Sequence, residues 1–301
     1  MDQRLLLMHQ VMLADRPRLH AYDQALASVV REGDVVVDVG AGTLVLSMLA
    51  LRHGAAHVYA IEADPAMAAV AEQIIRQNDL GDRLTLVQGE ARIAKLPQAA
   101  DVVVSEMMGN LGPEEQMVEV LGAVARRNLR EGGTVIPRRL VTHLAAIEFD
   151  DEGWGLWRDG PPGLPGYRLD AVQHVVEPHA QLHFFQREPR FLAPPAVLSD
   201  DGIGPGSVSS PEREVRLRVR ESGCLQAVIG YFAAELADGV TLSNYPSYPG
   251  CNWAVWVWPL RHKEVRAGDE IVVGVTVPRG RGRARDAMEW RLDCRITGPG
   301  R

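Results

Sequence analysis

Cysteine is scarce in this sequence, which has only Cys224, Cys251 and Cys294 among 301 residues. Their wide spacing provides neither a disulfide framework nor a set of zinc ligands. The nine histidines also show no ligand spacing such as HExxH, so no metal site is expected. We therefore expect a protein of the reducing cytoplasm.

Long hydrophobic runs are absent as well. No uncharged apolar run reaches the ~18 residues that a membrane-spanning helix needs. Residues 1–10, MDQRLLLMHQ, hold no apolar stretch of signal-peptide length, so no membrane association is expected. The formal net charge of −7 argues against a protein that coats nucleic acid, because such proteins carry excess basic residues that neutralise phosphates.

The hydrophobic pattern changes near Pro137. Before it, short β-branched runs alternate with helical patterns, which predicts βαβ units and a parallel sheet. The predicted strands are 35–40, 57–63, 84–90 and 101–106, and the predicted helices are 43–54, 65–78 and 114–130, the last ending at Gly132–Gly133. We therefore predict an α/β domain over residues 1–137.

After Pro137 the pattern repeats every second residue, which predicts an antiparallel sandwich or barrel over residues 138–301. The predicted strands are EVRLRVR (214–220), WAVWVW (253–258), IVVGVTV (271–277) and MEWRLDCRI (288–296). Residues 199–212 are polar and read as a flexible loop. The segment 149–176 is rich in Trp, Gly and Pro, which is typical either of a long surface loop or of a loop that binds a partner.

A glycine loop follows the first predicted strand. Asp38, Gly40, Gly42 and Thr43 lie where the strand turns into a helix, and glycines there let backbone amides approach a ligand at the helix N-terminus. Glu62 ends the next strand, where a carboxylate can accept both hydroxyls of a ribose. The pattern predicts an adenosine cofactor; a purely structural turn is the alternative.

The details of this loop favour S-adenosylmethionine over a dinucleotide. Val45 stands where a dinucleotide site needs a third glycine, so a nicotinamide-linked reductase is disfavoured. Asp38, placed before the loop, suits a cofactor with a cationic end and no phosphates. Glu90, followed by Ala91 in QGEA at the end of the third strand, is placed to accept the adenine amino group.

A second motif carries two glutamates nine residues apart. Glu106 follows the fourth strand, where ligands of parallel sheets bind, so it is expected to contact the cofactor near its methyl group. The Gly-Pro content of SEMMGNLGPEEQM (105–117) lets the loop fold back and bring Glu115 toward it. Two neighbouring carboxylates need a cation between them, and a planar guanidinium satisfies both through paired hydrogen bonds. A solvated acidic loop is the alternative interpretation.

Together, DVGAGT, AIEA, QGEA, SEMMGNLGPEEQM and GGTVIP resemble the catalytic core of the protein arginine methyltransferase family. The resemblance implies a Rossmann-like class I methyltransferase domain followed by a β-barrel. It implies that S-adenosylmethionine is consumed, that S-adenosylhomocysteine is released, and that Glu106 and Glu115 clamp the substrate arginine. GYFAAEL (230–236) resembles part of the family's barrel, and 149–176 occupies the place of its dimerisation arm, which implies a homodimer.

The resemblance also covers HQVMLADRPRLHAY (9–22), which is similar to the family's helix that folds over the cofactor. It implies cofactor contacts for His9, Met12 and Arg18, with Arg18 on the methionine carboxylate and Met12 beside the acceptor nitrogens. The substrate-binding candidates are Glu106, Met108, Glu115, Asn252 and Trp253; for Trp253, packing in the barrel core is the alternative.

Several positions depart from the family pattern. QRLLLM (3–8) replaces an aromatic Tyr-Phe-x-x-Tyr motif, Leu44 replaces a glycine, Arg92 replaces a glutamate, and Cys251-Asn252-Trp253 replaces Thr-His-Trp, so that Asp15 would face Asn252. These changes are expected around the acceptor. We therefore expect the acceptor to be free arginine, a related guanidine, or an arginine in a peptide or protein. The alternatives are a methyltransferase that acts on another nucleophile and a cofactor-binding partner without activity.

Overall fold

The computed structural model describes residues 3–148, 166, 167, 171, 180–185, 187–245, 253–277 and 290–298. Two helices come first, α1 (Gln3–Ala14) and α2 (Arg16–Val29). Asp15 separates them and begins α2, because its carboxylate accepts the backbone N–H of Arg18 at 3.2 Å. Pro17 follows in the first turn of α2, where a missing backbone N–H costs nothing.

The next segment is a five-stranded parallel sheet with helices between its strands. The strand order is β3-β2-β1-β4-β5, and every neighbouring pair is parallel. The order reverses between β1 and β4, so the carboxyl ends of these two strands open onto the crevice where such sheets bind ligands. The elements are β1 (Val35–Val39), α3 (Val45–Arg52), β2 (His57–Glu62), α4 (Pro65–Gln77), β3 (Leu84–Gln88), β4 (Ala100–Ser105), a 3-10 helix (Pro113–Glu115), α5 (Met117–Asn128) and β5 (Leu129–Ile136).

The prediction of one helix over 114–130 that ends at Gly132–Gly133 is wrong. The helical part is interrupted at Gln116, and the two glycines lie inside β5. Gly133 is needed there for close packing, since a Cβ atom on it would lie 2.6 Å from Leu129 Cδ1 and 2.9 Å from the Asp101 carbonyl oxygen. The glycines therefore serve an irregular strand beside β4, and α5 ends without them.

The second half of the chain is antiparallel. One sheet has the order β7-β13-β11-β6-β8, with β9 paired to β6 and β12 to β11, and the other has the order β10-β14-β15. Side chains of both sheets share one core, as Leu144, Val228 and Trp258 of the first sheet pack with Leu217 and Ile271 of the second. The strands are β6 (Arg139–Glu148), β7 (Gln181–His183), β8 (Arg190–Phe191), β9 (Ala196–Gly202), β10 (Glu214–Arg218), β11 (Gly223–Ala237), β12 (Val240–Ser243), β13 (Val255–Val265), β14 (Glu270–Thr276) and β15 (Arg291–Thr297).

The predicted loop over 199–212 is partly a strand, because β9 extends through Gly202 and pairs with β6. Its polar residues hid it from the sequence pattern. Asp201 is buried but hydrogen-bonded, accepting the Ser209 hydroxyl at 2.7 Å and the Ser210 amide at 3.4 Å. Polar side chains are thus compatible with a buried strand face when they are paired.

The two halves of the chain pack directly against each other. Leu140 of β6 and Phe232 of β11 are fully buried in the same core as the parallel sheet and α2. The predicted arm, 149–176, lies outside the described residues except at 166, 167 and 171. In the part of the chain that the structure describes, no helix is both long and apolar enough to span a membrane.

Candidate functional site

The crevice at the carboxyl ends of β1 and β4 contains a pocket, here named the inner pocket. α2 is fixed beside it by Tyr22, whose buried hydroxyl donates to the Ser105 carbonyl at the end of β4, 2.7 Å away. Burial raises the pKa of this phenol well above its ordinary value. The pocket is lined by His9, Met12, Leu13, Arg18, Leu19, Tyr22, Asp38, Gly40, Ala41, Gly42, Thr43, Val45, Leu46 and Glu106.

The glycine loop forms the floor of the inner pocket. Gly40 and Gly42 both have positive φ, 71° and 48°, a conformation that suits glycine. A Cβ on Gly40 would lie 2.8 Å from Met107 Sδ, and one on Gly42 would lie 2.7 Å from His9 Cε1. The loop therefore brings the backbone close to α1 and to the segment after β4.

Leu44 follows in the same left-handed region, with φ 62°, at the start of α3. This backbone conformation explains why the family pattern has glycine at this position. Here the side chain is fully buried in the core of the parallel sheet. The apolar burial offsets a backbone cost of about 1–2 kcal/mol.

Asp38 is the most unusual carboxylate of the inner pocket. It is 1% exposed, and its Oδ2 accepts the Ser47 hydroxyl at 2.7 Å, whereas its Oδ1 is buried without a hydrogen-bond partner. Burial raises the pKa of Asp38 to about 6, partly offset by the hydrogen bond from Ser47. A buried acceptor of this kind fits a cationic ligand in the pocket.

Glu62 is fixed at the end of β2 by two backbone amides. Its Oε2 accepts Gly42 N–H at 2.9 Å and its Oε1 accepts Asp64 N–H at 2.8 Å. Each carboxylate oxygen has a second lone pair for a ligand. Burial lowers the pKa of nearby His9, while the charge of Glu62 partly opposes that shift.

A second pocket shares Gly40 with the inner pocket and continues along the ends of β2 and β3, and we name it the strand-end pocket. It is lined by Val39, Gly40, Ile61, Glu62, Ala63, Gly89, Glu90, Ala91, Arg92, Met107, Glu115, Gln116 and Val120. Arg92 joins two of its sides, since its Nη2 donates to Gln116 Oε1 at 2.7 Å and its Nη1 lies 3.7 Å from Glu90 Oε1. Glu62, Glu90 and Ala91 thus meet in one pocket, as predicted for an adenosine site.

Glu106 separates the inner pocket from a third space, the outer cleft. Its Oε2 accepts Arg18 Nη1–H at 2.7 Å and its Oε1 accepts Met108 N–H at 3.2 Å. Burial raises the pKa of Glu106, and the Arg18 charge acts in the opposite direction. The Arg18 guanidinium also pairs with Asp15 at 3.3 Å and lies 3.3 Å from the centre of the Trp253 ring.

The outer cleft brings the two predicted clamp residues together. It is lined by Leu7, His9, Val11, Met12, Arg18, Glu106, Met107, Met108, Gly109, Asn110, Glu115, Leu182, Phe184, Trp253 and Ala254. Trp253 is partly buried, and its indole N–H donates to the Met108 carbonyl at 3.2 Å. It therefore lines the cleft and also packs on the core, at an edge of Phe232. Asn252 lies outside the described residues.

Four side chains line both the inner pocket and the outer cleft: His9, Met12, Arg18 and Glu106. They form the boundary across which a ligand in one space meets a ligand in the other. Glu115 lines both the strand-end pocket and the outer cleft. The predicted site residues that the structure describes therefore converge on one connected site, and their individual roles stay predictions.

Asn244, which was not among the predicted site residues, supports the loop that carries the glutamates. Its buried amide donates to the carbonyls of Asn110 and Ala254, at 2.6 and 2.8 Å, and its carbonyl accepts Phe232 N–H at 2.8 Å. Ser47 and Tyr22, which hold Asp38 and α2, were missed as well. Tyr22 ends the segment 9–22 that resembles the family's helix over the cofactor, but the resemblance assigns it no role, and Ser47 and Asn244 belong to no sequence motif. The tertiary contacts reveal the roles of all three.

Comparisons with known proteins agree with this site. The family model described as ribosomal protein L11 methyltransferase (PrmA) matches residues 22–137. The probable protein arginine N-methyltransferase 1.2 of Arabidopsis thaliana is 33% identical over 305 residues, covering 96% of this chain and 81% of that relative. The chain belongs to the protein arginine N-methyltransferase family. The predicted family is confirmed.

Two further proteins are similar to this chain, one in sequence and one in structure. The probable histone-arginine methyltransferase CARM1 of Oryza sativa subsp. indica is 41% identical over 150 residues, which are 49% of this chain and 28% of that protein's length. The solved Trypanosoma brucei PRMT1 enzyme-prozyme heterotetrameric complex with AdoHcy aligns with a TM-score of 0.79 at 21% identity, covering 97% of this chain and 93% of that one. This confirms the predicted fold class.

Proposed function

We propose that this chain is an S-adenosylmethionine-dependent N-methyltransferase that transfers a methyl group to a guanidino nitrogen of arginine. The observation that carries the proposal is the position of Glu106, which lies between the inner pocket with its unpaired Asp38 oxygen and the outer cleft that contains Glu115. A methyl donor in the first space and a guanidinium in the second would meet at this residue.

The residues of the inner and strand-end pockets fit the donor. Asp38 and the loop of Gly40, Gly42 and Thr43 would hold its amino-acid end, with His9, Met12 and Arg18 above it. Glu62 would accept the ribose hydroxyls, and Glu90 with Ala91 would hold the adenine. When bound, S-adenosylmethionine supplies a methyl group that its sulfonium charge already activates.

Glu106 and Glu115 would hold the acceptor. Their carboxylates orient the guanidinium through charge-assisted hydrogen bonds and draw its positive charge toward the nitrogens that they contact. The remaining terminal nitrogen then directs its lone pair at the methyl group. Because the donor is already activated, orientation supplies most of the rate enhancement.

The proton balance requires no strong base. An arginine guanidinium is protonated at neutral pH, with a pKa above ~12, and its methylated product is a cation as well. One proton therefore leaves overall as the carbon–nitrogen bond forms and the carbon–sulfur bond breaks. Glu115 or water would accept this proton, since the family's histidine is replaced by Asn252.

Two substitutions test the clamp. Glu106→Gln and Glu115→Gln each remove a negative charge but keep the side-chain size, so each should lose most turnover while S-adenosylhomocysteine binding by calorimetry is retained. Ser209→Ala, at a hydroxyl that bonds Asp201 instead, serves as the control. Wild-type rates in both glutamine variants would overturn the clamp.

The acceptor is tested by mass spectrometry of the protein incubated with S-adenosylmethionine and either free L-arginine or an arginine-containing peptide. A gain of one methyl mass on either substrate supports arginine N-methylation. S-adenosylhomocysteine release that depends on a carboxylate or phenol substrate would assign another nucleophile. Cofactor binding without any transfer would assign a partner protein without activity.

We also propose a cytoplasmic homodimer that pairs through the arm 149–176. Two sequence features support this: the position of the arm, which matches the family's dimerisation element, and the scarcity of cysteine. The domains are proposed as residues 1–137 for the cofactor and 138–301 for the substrate and the arm. The parallel strands end at Ile136 and the antiparallel ones begin at Arg139.

A further inference from the structure

Four of the exposed residues that line the outer cleft are apolar. Leu7 and Val11 lie one turn apart on α1, which places them on one face of the helix. Leu182 lies in β7, and Phe184 directly follows the end of that strand. All four line the cleft that contains Glu106 and Glu115, and each is 50–59% exposed. We name these four residues the apolar rim.

Few of the side chains that line the cleft carry a charge. Of the described residues that line it, Arg18, Glu106 and Glu115 are the ones with a full charge, and His9 is the other titratable one. Arg18 is paired with Glu106 and Asp15. The two clamp glutamates are therefore matched to a single guanidinium, and no carboxylate of the apolar rim is available for additional basic groups beside it.

We infer that the acceptor is an arginine flanked by apolar side chains in a peptide or protein, and that the apolar rim binds those neighbours. The inference rests on the proposed function, because it names the substrate of that same site. Continuity between the rim and the two glutamates supports a substrate as the occupant, because all six side chains line the same cleft. Exposed apolar groups at the mouth of a cleft are typical of such contacts.

The size of the expected substrate preference follows from the apolar surface that the flanking side chains would cover. Burying a half-exposed leucine and phenylalanine against matching side chains gives a preference of about tenfold or more for an apolar-flanked peptide. A peptide with lysines beside the arginine gains nothing from the rim and must desolvate its ammonium groups against it. Free arginine makes no rim contact.

The test compares three capped peptides of otherwise identical sequence, with the arginine flanked by leucines, by glycines or by lysines, and free L-arginine. S-adenosylhomocysteine release gives kcat/KM for each. We expect the leucine-flanked peptide to exceed the glycine-flanked one by about tenfold, chiefly through a lower KM. Equal values, or a preference for the lysine-flanked peptide or for free arginine, would overturn the inference and leave the proposed function intact.

A pair of variants locates the preference. Leu182→Ser with Phe184→Ser should abolish the leucine preference, so that kcat/KM on the leucine-flanked peptide falls to the value on the glycine-flanked one. Val208→Ser is the matched control, because Val208 is 69% exposed and does not line the cleft. If the double variant instead halves the mass measured by light scattering and lowers the rate on every peptide equally, the rim is a contact between subunits and the inference is overturned.

The same assays distinguish a failure of the proposed function from a failure of the inference about the apolar rim. If wild-type protein binds S-adenosylhomocysteine but methylates none of the four guanidines, both the proposed function and the inference that rests on it are overturned. Turnover on any of them supports the proposed function whatever the flanking preference is. The two failures thus give different results in the same set of assays.

Discussion

At the scale of single residues, the site is built from acidic side chains held in different environments. Asp38 is buried with one unpaired oxygen, Glu62 is bonded to backbone amides, and Glu106 is paired with Arg18. Burial favours the neutral form of a carboxyl, while amide donors and cations favour the ionised form. The contacts thus make Asp38 the carboxylate most dependent on a cationic ligand.

This environment predicts a pH-dependent affinity for the cofactor. The pKa of Asp38 is raised to about 6, and a cationic donor binds the ionised form. Affinity for S-adenosylmethionine should therefore fall as the pH drops through 6, by about tenfold at one pH unit below that value. Calorimetric titrations between pH 5 and 8 measure it. Asp38→Asn should bind weakly with a flat profile; an unchanged pH profile in this variant would contradict the assignment.

The raised pKa of Asp38 also makes the stability of the ligand-free protein depend on pH. Without a ligand the folded protein holds the Asp38 proton more tightly than the unfolded chain, whose aspartate has a pKa of about 3.9. Stability from this group is thus fully present below pH ~4 and is lost as the pH rises through 6. Urea unfolding of wild type and Asp38→Asn should show this: the stability difference between them should change in favour of the asparagine variant over that window.

Arg92 is the second residue with a specific expected effect. It holds Gln116, which has a left-handed φ of 59° and directly follows Glu115. Arg92→Met should release this segment, so we expect the KM for the guanidine to rise about tenfold, because one charged hydrogen bond contributes about 1.5–3 kcal/mol. Steady-state kinetics with both substrates measure it. Lys95→Met, in the same loop, is the control, and an equal effect of the two substitutions would contradict a positioning role for Arg92.

At the scale of secondary-structure elements, function depends on how the loop after β4 is attached to the antiparallel sheet. Asn244 bonds this loop at Asn110 and also bonds β11 and the segment before β13. Thr142 of β6 adds a hydroxyl bond to the Leu111 carbonyl at 3.2 Å. The second half of the chain thus supports the glutamate loop and also supplies the Trp253 side of the cleft.

Asn244→Ala should therefore affect both stability and activity. It removes the partner of the buried Ala254 carbonyl, of the partly buried Asn110 carbonyl and of the Phe232 N–H, at about 1–3 kcal/mol for each group that stays unsatisfied. We expect the free energy of unfolding to fall by about 2–4 kcal/mol and kcat to fall with it, as measured by urea unfolding and by turnover in the absence of denaturant. Asn78→Ala, at an exposed helix end where one amide bonds Ile74, should cost about 1 kcal/mol or less and keep wild-type turnover.

In the molecule as a whole, the two halves of the chain each form one side of the site. The parallel sheet supplies the pockets at the ends of its strands, and the antiparallel domain closes the outer cleft with Trp253, Leu182 and Phe184. The cleft therefore exists only when both halves of the chain are folded and packed through the core they share.

The proposed arm gives a prediction at this scale. Trp154→Ala combined with Trp157→Ala removes large apolar side chains from 149–176, so the variant should be a monomer where the wild type is a dimer. Light scattering coupled to gel filtration measures the mass. Leu13→Ala, at an exposed helix position, serves as a control. An unchanged mass in the tryptophan variant would refute pairing through the arm.

The residue pattern is sufficient to predict the parallel sheet, the glycine loop and the carboxylates at the ends of its strands. Strand and helix periods repeat over a few residues, and a turn from strand to helix is a local event, so Asp38, Glu62 and Glu106 could be placed from the pattern. Leu44 and Arg92 could be recognised as departures, but their consequences could not.

The remaining contacts of the site could not be predicted from the pattern, because they join residues far apart in the chain. Asn244 reaches Asn110, Arg92 reaches Gln116, and Arg18 meets both Glu106 and Trp253. Gly133 was predicted to end a helix, but it lies in β5, where Leu129 and the Asp101 carbonyl approach it too closely for a side chain. Local sequence spacing does not predict such contacts, because each forms only when separate elements pack together. This packing brings the two glutamates and the apolar rim into one cleft.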